Sequence, residues 1–359
     1  MRRFAFSVGL VFVAASMTVL LGEAFVRLVA PQPESWLAIY RSHSELPFYA
    51  MLPNHRARVD SGETDWSVET DERGFRVSAE GRDGADCSVL WLGDSFAFGH
   101  GVDYDDSFVG RIASQTPDVG HVNSAVPGYG PVQYRATLEY LAGDELQFDW
   151  IFVASYLGND YHDTQWEKGN EATGGILGNP GGLKSFLKRN WHVYRLLSAA
   201  YHRLGSGGAR GVDSVSAELG DPDAWGQEFL VLARDRYAEE LTRIQEYAEA
   251  RGIPVAFIIL PTRDAAAHRF SVAAGGGAPA VSSGLKDFDP MLPVEHARAI
   301  LEGMGATYLD LTDVLGSAPP EEMFFRFDGH FTPVANQRVA EAIARRFPLR
   351  CDMEGIDGA

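Results

Sequence analysis

The chain is poor in cysteine and in positive charge. Only two of its 359 residues are cysteines, Cys87 and Cys351, and no C-x-x-C pair or Cys/His spacing typical of a metal site occurs. We therefore expect no metal, and no motif for an organic cofactor is present. Lysine and arginine number 31 against 49 aspartates and glutamates, which gives a net charge of −18. Without a basic stripe, such a chain repels anionic lipid headgroups and nucleic acid, so no nucleic-acid partner is expected.

One stretch near the N-terminus is uncharged and apolar. Arg2 and Arg3 precede residues 4–22, and Glu23 ends the stretch. Its length is close to the roughly 20 residues that span a bilayer as a helix, and it exceeds the roughly 7–15 of a signal-peptide core. We predict an uncleaved, single-pass anchor in the inner (cytoplasmic) membrane, with a cleaved signal peptide as the alternative. The arginines favour a cytoplasmic start, so the rest of the chain is expected on the periplasmic side.

Continuous apolar runs follow from residue 88 onward, as is typical of strands buried on both faces of a sheet. These runs are residues 89–92, 121–126, 150–156, 254–260 and 307–311. Helical patterns alternate with them, and the last helix starts with Thr332 as N-cap and Pro333 at its first position. The alternation predicts a doubly wound α/β domain with a five-stranded parallel sheet.

The same pattern divides the chain into segments. Residues 1–30 form the predicted anchor, 31–86 a stalk and lead-in, 87–351 the α/β domain, and 352–359 a tail. Insertions at about 163–225 and 262–290 follow the third and fourth strands, and the first contains a predicted amphipathic helix around residues 183–204. Both begin at the ligand-binding edge of the sheet, so they are either lids or tolerated insertions.

The two cysteines are predicted to lie at one edge of the domain. Cys87 comes just before the first strand of the sheet, and Cys351 comes just after the last helix. Both positions belong to the edge opposite the ligand-binding edge. Since an exported compartment permits disulfides, we expect either a Cys87–Cys351 bond or two unpaired buried thiols.

Candidate catalytic residues follow the strands. Ser95 comes directly after the first strand, in Gly93-Asp94-Ser95, and His330 precedes the last helix, two residues after Asp328. A hydroxyl, an imidazole and a carboxylate at one edge have the logic of a serine–histidine–aspartate triad. No G-x-S-x-G elbow occurs, which excludes the α/β-hydrolase variant. The backbone N–H groups of Ser95 and Gly128, with the side-chain amide of Asn159, are predicted to form an oxyanion hole.

These blocks resemble the SGNH, or GDSL-type, hydrolases. The matching blocks are Gly93-Asp94-Ser95, Gly128, Gly158-Asn159-Asp160 and Asp328-x-His330, in that order. Gly74-Phe75-Arg76 and the context of Ser95 and His330 are also similar to a membrane-anchored bacterial subgroup, the alginate O-acetyltransferase-like proteins. The resemblance covers roughly residues 85–348. It implies a flavodoxin-like three-layer α/β/α sandwich, with Ser95 as nucleophile and His330 as base.

One spacing departs from the family pattern. Many family esterases carry the acid three residues before the histidine, whereas Asp328 lies two before His330. A D-x-H spacing occurs in the acetyltransferase-like relatives, so Asp328 is the expected acid, with Asp310 or Asp313 as alternatives. Four further residues are possible substrate contacts because they lie in loops at the same edge: Asp94, His100, Tyr129 and Tyr161. Of these, Asp94 also suits a turn-stabilising role.

The expected function is that of an exported, membrane-tethered serine esterase or O-acyltransferase. Its substrates would be acyl esters, acetyl above all, of cell-envelope or extracellular glycans. A lipase or thioesterase acting on longer acyl chains is an alternative on the same site. A non-catalytic glycan-binding or scaffold protein of an envelope complex is the alternative from another class. No protein partner is specified by the sequence.

Overall fold

A central parallel sheet organises the structure, a computed structural model that describes residues 2–32, 39–42, 49–60, 63–78, 87–143, 147–164, 183–205, 218–276 and 288–350. Its strands are β5 Cys87–Gly93, β6 Val119–Asn123, β7 Trp150–Tyr156, β8 Val255–Leu260 and β9 Tyr308–Asp310. They lie in the order β6-β5-β7-β8-β9. This is the flavodoxin-like order, in which the second strand lies outside the first, and it confirms the predicted fold.

Helices connect the strands of the sheet, and several of them cover its two faces. They are α2 Ser95–Phe98, α3 Phe108–Gln115, α4 Pro131–Gly143, α5 Asp160–Asp163, α6 Leu183–Asn190, α7 His192–Gly205, α8 Glu228–Glu249, α9 Arg263–Ala273, α10 Leu292–Gly303, α11 Thr312–Leu315, α12 Pro320–Met323 and α13 Pro333–Arg346. Helix α3 packs against α13, and α4 packs against α8. These two pairs belong to the outer layers of the sandwich.

The strands form where the apolar runs predict them: the central strands β5, β7 and β8 are largely buried, and the edge strands β6 and β9 are half-buried. Trp91 in β5 is fully buried, and its ring stacks on Phe152 of β7 at 4.5 Å between centroids. Phe347, after the last helix, packs edge-on against Phe152 at 5.5 Å. Strand β6 ends three residues before its apolar run does. Beyond it the chain turns away, and the Ser124 hydroxyl donates to the Trp91 carbonyl oxygen at 2.8 Å.

Residues 39–78 are not a simple stalk. They contain two antiparallel pairs, β1 Tyr40–Ser42 with β2 Tyr49–Met51, and β3 Arg56–Asp60 with β4 Asp65–Glu69. Strands β3 and β4 alternate exposed and buried side chains, the period of a half-buried strand. The stalk interpretation overlooked this alternation. It is short, five residues in each strand, and at least one charged residue stands next to every buried one.

Helix α1, Arg2–Val29, lies outside the sandwich. Within it, Gly9–Val29 is long and apolar enough to cross a membrane, with a mean hydropathy of 2.0 and most of its surface exposed. A signal sequence passes the same test of length and composition. The anchor therefore remains a prediction.

The predicted insertions have helical parts. Helices α6 and α7 occupy residues 183–205, where the sequence predicts an amphipathic helix, although a break at Trp191 divides it in two. Helix α9 starts the second insertion, and the Thr262 hydroxyl caps it by accepting from the Ala265 N–H at 3.2 Å. Cys87 begins β5 at the edge opposite Ser95 and is disulfide-bonded. Cys351 lies outside the described residues, so its pairing with Cys87 stays a prediction.

Candidate active site

Ser95 stands at the carboxyl end of β5, on a turn that allows few other residues. A side chain at Gly93 would bring its Cβ within 2.6 Å of the Ala97 Cβ and 3.1 Å of the Ala154 carbonyl oxygen. The buried Asp94 carboxylate caps α2 by accepting from the Phe96 N–H at 2.9 Å. Burial raises the pKa of Asp94 to about 7. Asp94 therefore shapes the turn, and its burial does not support the predicted substrate contact.

His330 contacts Ser95 from a tight loop at the other end of the chain. The loop closes through the Phe325 N–H, which donates to the His330 carbonyl oxygen at 2.8 Å, and Gly329 takes a φ of +82° within it. The distance from His330 Nε2 to Ser95 Oγ is 2.7 Å. The structure thus brings the predicted nucleophile and base within hydrogen-bond reach, although 235 residues separate them in the sequence.

Asp328 completes a hydrogen-bonded chain. Its Oδ1 bonds His330 Nδ1. Because an ionised carboxylate only accepts, Nδ1 carries the hydrogen, and Nε2 is left to accept the Ser95 hydroxyl hydrogen. The alternative acids are engaged elsewhere: Asp310 pairs with Arg298, and Asp313 pairs with Arg269. The carboxylate that orients His330 is therefore Asp328, two residues away.

A second histidine shares the Asp328 carboxylate. His100 Nε2 lies 3.5 Å from Asp328 Oδ2, and the His100 ring lies 4.5 Å from the His330 ring and 5.0 Å from Trp66. Burial lowers the pKa of His100. Burial also raises the pKa of Asp328, but hydrogen bonds from both histidines outweigh that effect and hold it well below its usual range. His100 is 6% exposed, and its ring packs between those of Trp66 and His330, beside the Asp328 carboxylate.

The predicted oxyanion donors come from the strands on either side of β5. Gly128 follows β6, is exposed, and takes a φ of +84°, where a Cβ would collide with the Tyr49 hydroxyl. That hydroxyl donates to the Pro127 carbonyl oxygen at 2.8 Å. Asn159 follows β7, and its Nδ2 donates to Asp163 Oδ2 at 2.5 Å. Its side-chain amide also interacts with the buried Asp94 carboxylate, so a substrate oxyanion would compete with these two acids for the amide hydrogens.

Two tyrosines predicted as possible substrate contacts face inward instead. Tyr129 is 2% exposed, and its hydroxyl donates to the Tyr49 carbonyl oxygen at 2.5 Å. Tyr161 is fully buried, and its hydroxyl donates to the Pro293 carbonyl oxygen at 3.0 Å. Both loops fold back onto the body, because an apolar ring with a satisfied hydroxyl is more stable inside. The structure does not support a substrate contact by either residue.

Glu63 is a site residue that sequence reasoning missed. Its carboxylate, from the turn between β3 and β4, accepts from the backbone N–H groups of Arg326 at 2.6 Å, Phe327 at 2.8 Å and Asp328 at 2.9 Å. These three residues end at the predicted acid, Asp328, two positions before the predicted base, His330. No sequence pattern marks Glu63, because its partners lie more than 260 residues away.

Arg76 fixes the other side of the same region. Its fully buried guanidinium donates to four backbone carbonyl oxygens, including those of Phe98 at 2.6 Å and Val102 at 2.6 Å. It also lies 5.0 Å from the Trp66 ring centroid. Burial lowers the pKa of Arg76 to about 9. Arg76 thereby holds the segment between Ser95 and the loop that carries His100.

Three side chains of the site have the donor types of a metal centre. His100, Asp328 and His330 place one ligand atom each within 4.8 Å of one another. However, both imidazoles direct a ring nitrogen at the Asp328 carboxylate. A metal ion held there would compete with the hydrogen bond that orients His330. The arrangement accordingly suits proton transfer between Ser95 and His330 better than metal binding.

Comparisons with known proteins give distant structural similarity. No family model and no curated protein matches the chain. Among solved structures, it is similar to a member of the lipolytic protein G-D-S-L family from Veillonella parvula DSM 2008, with 12% identity, a TM-score of 0.37, and coverage of 73% of this chain and 98% of that one. It is also similar to TesA, with 14% identity, a TM-score of 0.39, and coverage of 72% and 96%. A third is the acetylxylan esterase Axe2 from Geobacillus stearothermophilus, with 11% identity, a TM-score of 0.40, and coverage of 75% and 97%.

In strand order, in the order of its blocks and in the arrangement of Ser95, Asp328 and His330, the chain resembles the SGNH hydrolases. Structural similarity as distant as that above does not carry an activity from one protein to another. The function is therefore inferred from the geometry of this site.

Proposed function

We propose that the protein is a serine esterase or O-acyltransferase that works through an acyl-serine intermediate. The observation that carries the proposal is the hydrogen-bonded chain from Ser95 Oγ through His330 to Asp328 at the carboxyl edge of the sheet. A serine hydroxyl is a weak nucleophile at neutral pH, and an adjacent base with an oriented ring removes that limitation.

In the first half-reaction, Ser95 Oγ attacks the acyl carbonyl carbon while His330 Nε2 takes the hydroxyl proton. Asp328 stabilises the imidazolium that forms. The carbonyl oxygen becomes an oxyanion, which the Ser95 N–H, the Gly128 N–H and the Asn159 amide would stabilise. When the tetrahedral intermediate collapses, the bond to the leaving alcohol breaks. The alcohol takes the proton from Nε2, and the acyl group remains on Ser95.

In the second half-reaction, His330 takes a proton from water or from another hydroxyl, which attacks the acyl-Ser95 carbonyl. The second tetrahedral intermediate then collapses, the bond from the acyl carbon to Ser95 Oγ breaks, and Oγ takes the proton back from His330 Nε2. Water gives the free acid, and a sugar hydroxyl gives the transferred ester. Which acceptor reacts depends on water exclusion at the site. Phe327, one residue before Asp328, is 66% exposed. An exposed aromatic ring at this place supports glycan esters as substrates, because sugars stack on such rings.

The cellular setting of the proposal is the outer face of the inner membrane. The length and apolar composition of Gly9–Val29 support a tether, and Arg2 and Arg3 favour a periplasmic position for the sandwich. Tethering and export support acetyl esters of envelope or extracellular glycans as the substrates. A lipase or thioesterase on the same triad would differ in its preference for longer acyl chains.

The decisive experiment compares Ser95→Ala with Ser114→Ala in the full chain. Ser114 is an exposed serine on α3, so its replacement controls for general effects of the substitution. We expect Ser95→Ala to reduce kcat on p-nitrophenyl acetate by roughly 10⁴-fold or more, and Ser114→Ala to leave it unchanged. A fluorophosphonate probe should label the protein only when Ser95 is present. Equal turnover by the two variants would refute the proposal.

Substrate class is tested separately. The proposal predicts release of acetate from native envelope glycans, and hydrolysis that falls as the acyl chain of p-nitrophenyl esters lengthens. Addition of an unacetylated glycan would reveal transfer by the appearance of acetylated glycan. If long acyl chains react fastest, the lipase or thioesterase alternative holds instead.

A further inference from the structure

Helices α6 and α7 carry a charge opposite to that of the whole chain. Residues 183–205 contain five lysines and arginines, at positions 184, 188, 189, 195 and 203, and no aspartate or glutamate. The chain as a whole has a net charge of −18. Its average composition predicts repulsion from anionic surfaces, but this segment is locally basic and would be attracted to them.

The same two helices expose apolar side chains. Leu183 and Phe186 of α6 are 74% and 53% exposed, and Leu197 of α7 is 64% exposed. In α7, apolar residues recur at positions 193, 197, 200 and 204, which lie on one face of a helix. Basic residues that flank an exposed apolar face characterise helices that lie in the plane of a membrane surface.

The junction of the two helices is attached to the end of α1. The Glu23 carboxylate caps α7 by accepting from the His192 N–H at 3.0 Å and the Val193 N–H at 2.9 Å. The Arg27 guanidinium donates to the Asn190 carbonyl oxygen at 2.7 Å. The Gln32 N–H donates to the Nδ1 of His192 at 2.8 Å. These contacts join two parts of the chain that are about 160 residues apart.

The level of this junction along α1 is informative. Two registers of the span are possible in α1: residues 4–22, which are uncharged, and Gly9–Val29, which would place Glu23 and Arg27 within the hydrocarbon core. Charged side chains are costly in the core, so residues 4–22 are the favoured span and Glu23 directly follows it. The charged residues Glu23 and Arg27 therefore belong at the depth of the lipid headgroups. Because they hold the junction of α6 and α7, that junction lies at the same depth.

We propose that α6 and α7 form a membrane-surface element that binds anionic phospholipid headgroups. Their exposed apolar side chains enter the boundary between headgroups and acyl chains, and the net positive charge of residues 183–205 attracts the phosphates. The inference rests on the proposed membrane span of α1 and is independent of the proposed esterase chemistry. Its consequence is a fixed height of the sandwich above the bilayer, which a single flexible tether would not provide.

The test uses the full chain reconstituted into bilayers of phosphatidylcholine, with and without phosphatidylglycerol. Single cysteines, as Leu197→Cys, Leu232→Cys and Phe12→Cys, carry an environment-sensitive fluorophore. Since no described cysteine is free, the introduced thiol is the labelled one. Leu232 is the matched control, because it is a leucine on α8 that is 53% exposed. Spin-labelled lipids then report contact with the bilayer by quenching, and circular dichroism with a thermal midpoint reports on each variant's fold.

We expect lipid quenching at Leu197→Cys and Phe12→Cys and none at Leu232→Cys. Quenching at Leu197→Cys should be stronger with phosphatidylglycerol, and Lys184→Gln/Lys188→Gln/Arg189→Gln should abolish that increase. Quenching at Phe12→Cys alone overturns this proposal and leaves the span of α1 intact. No quenching at either position overturns the span as well. A blue-shifted emission at Leu197→Cys that persists in detergent without lipid quenching shows burial against another protein copy, which also overturns the proposal.

Discussion

Glu63 offers a sharp test of how the site is held together. Its carboxylate accepts three backbone N–H groups that precede His330, yet it belongs to a hairpin outside the sandwich. Replacement by glutamine keeps the size of the side chain but removes its charge. The new amide nitrogen cannot accept, so at least one of the three N–H groups loses its partner and faces a donor.

The expected loss follows from the number and exposure of these bonds. A hydrogen bond to a charged group contributes about 1.5–3 kcal/mol where water is excluded. Arg326 and Phe327 are exposed and Asp328 is half-buried, so water replaces part of what is lost. We expect the misalignment of Asp328 and His330 to raise the activation free energy by about 1.4–2 kcal/mol. This corresponds to a decrease in kcat of roughly 10- to 30-fold. KM should change little, because Glu63 acts on the loop and not on the substrate.

Asp65→Asn is the matched control, because Asp65 is on the same hairpin and forms an exposed ion pair with Arg58. Ion pairs this exposed contribute little because water and salt screen them, so turnover should stay close to that of the unmodified chain. Steady-state kinetics on p-nitrophenyl acetate and thermal midpoints of both variants complete the comparison. If Glu63→Gln turns over substrate as fast as Asp65→Asn, residues 326–328 hold their shape unaided and the reasoning is wrong.

Three further predictions concern residues around the triad. Replacing His100 by phenylalanine preserves a ring against Trp66 but removes the second donor to Asp328. We expect kcat to fall about tenfold, which is ~1.4 kcal/mol of activation free energy. An unchanged kcat would show that His330 alone orients the acid. Gly128→Ala puts a Cβ against the Tyr49 hydroxyl at a positive φ, so kcat should fall by roughly 10²–10³ as a donor is displaced, with equal activity counting against Gly128 as a donor. The pKa of Asp94 is about 7 in the folded state and about 3.9 in the unfolded state. Between these values the folded state keeps a proton that the unfolded state releases. The free energy of unfolding therefore falls as the pH rises from the lower value to the higher one. Urea unfolding at pH 5 and pH 7 should show a smaller difference for Asp94→Asn than for the unmodified chain, and equal differences would contradict the assignment.

The sheet and the triad follow from local patterns in the sequence. Buried parallel strands require continuous apolar runs, and these runs locate all five strands to within a few residues. Since the carboxyl ends of parallel strands share one edge, Ser95 and the loop of His330 were bound to lie near each other. The resemblance to the acetyltransferase-like proteins, in which a D-x-H spacing occurs, made Asp328 the expected acid, with Asp310 or Asp313 as alternatives. The structure places the Asp328 carboxylate at Nδ1 of His330.

Contacts between distant segments were not predictable in this way. The partner of Glu63 is a set of backbone groups, which leave no trace in residue types. His100 contacts the Asp328 carboxylate because Arg76 binds the backbone of the loop that carries His100 and holds that loop next to residue 328. Tyr129 and Tyr161 follow strands at the ligand-binding edge, and nothing in their spacing shows that both rings turn inward.

The described residues between 39 and 78 line one side of the site and contact its loops. Tyr49 supports the Gly128 turn, Glu63 holds the backbone before His330, Trp66 packs on His100, and Arg76 binds the segment after Ser95. A chain that begins at Cys87 would retain every predicted catalytic residue and all five strands of the sheet. It would lose the contacts that orient them. The surface of the sandwich that packs against the buried side chains of Tyr49, Trp66 and Arg76 would then be exposed to solvent. The hydrogen bonds of Ser95, His330 and Asp328 therefore depend on a segment that precedes the α/β sandwich in sequence and packs against it in space.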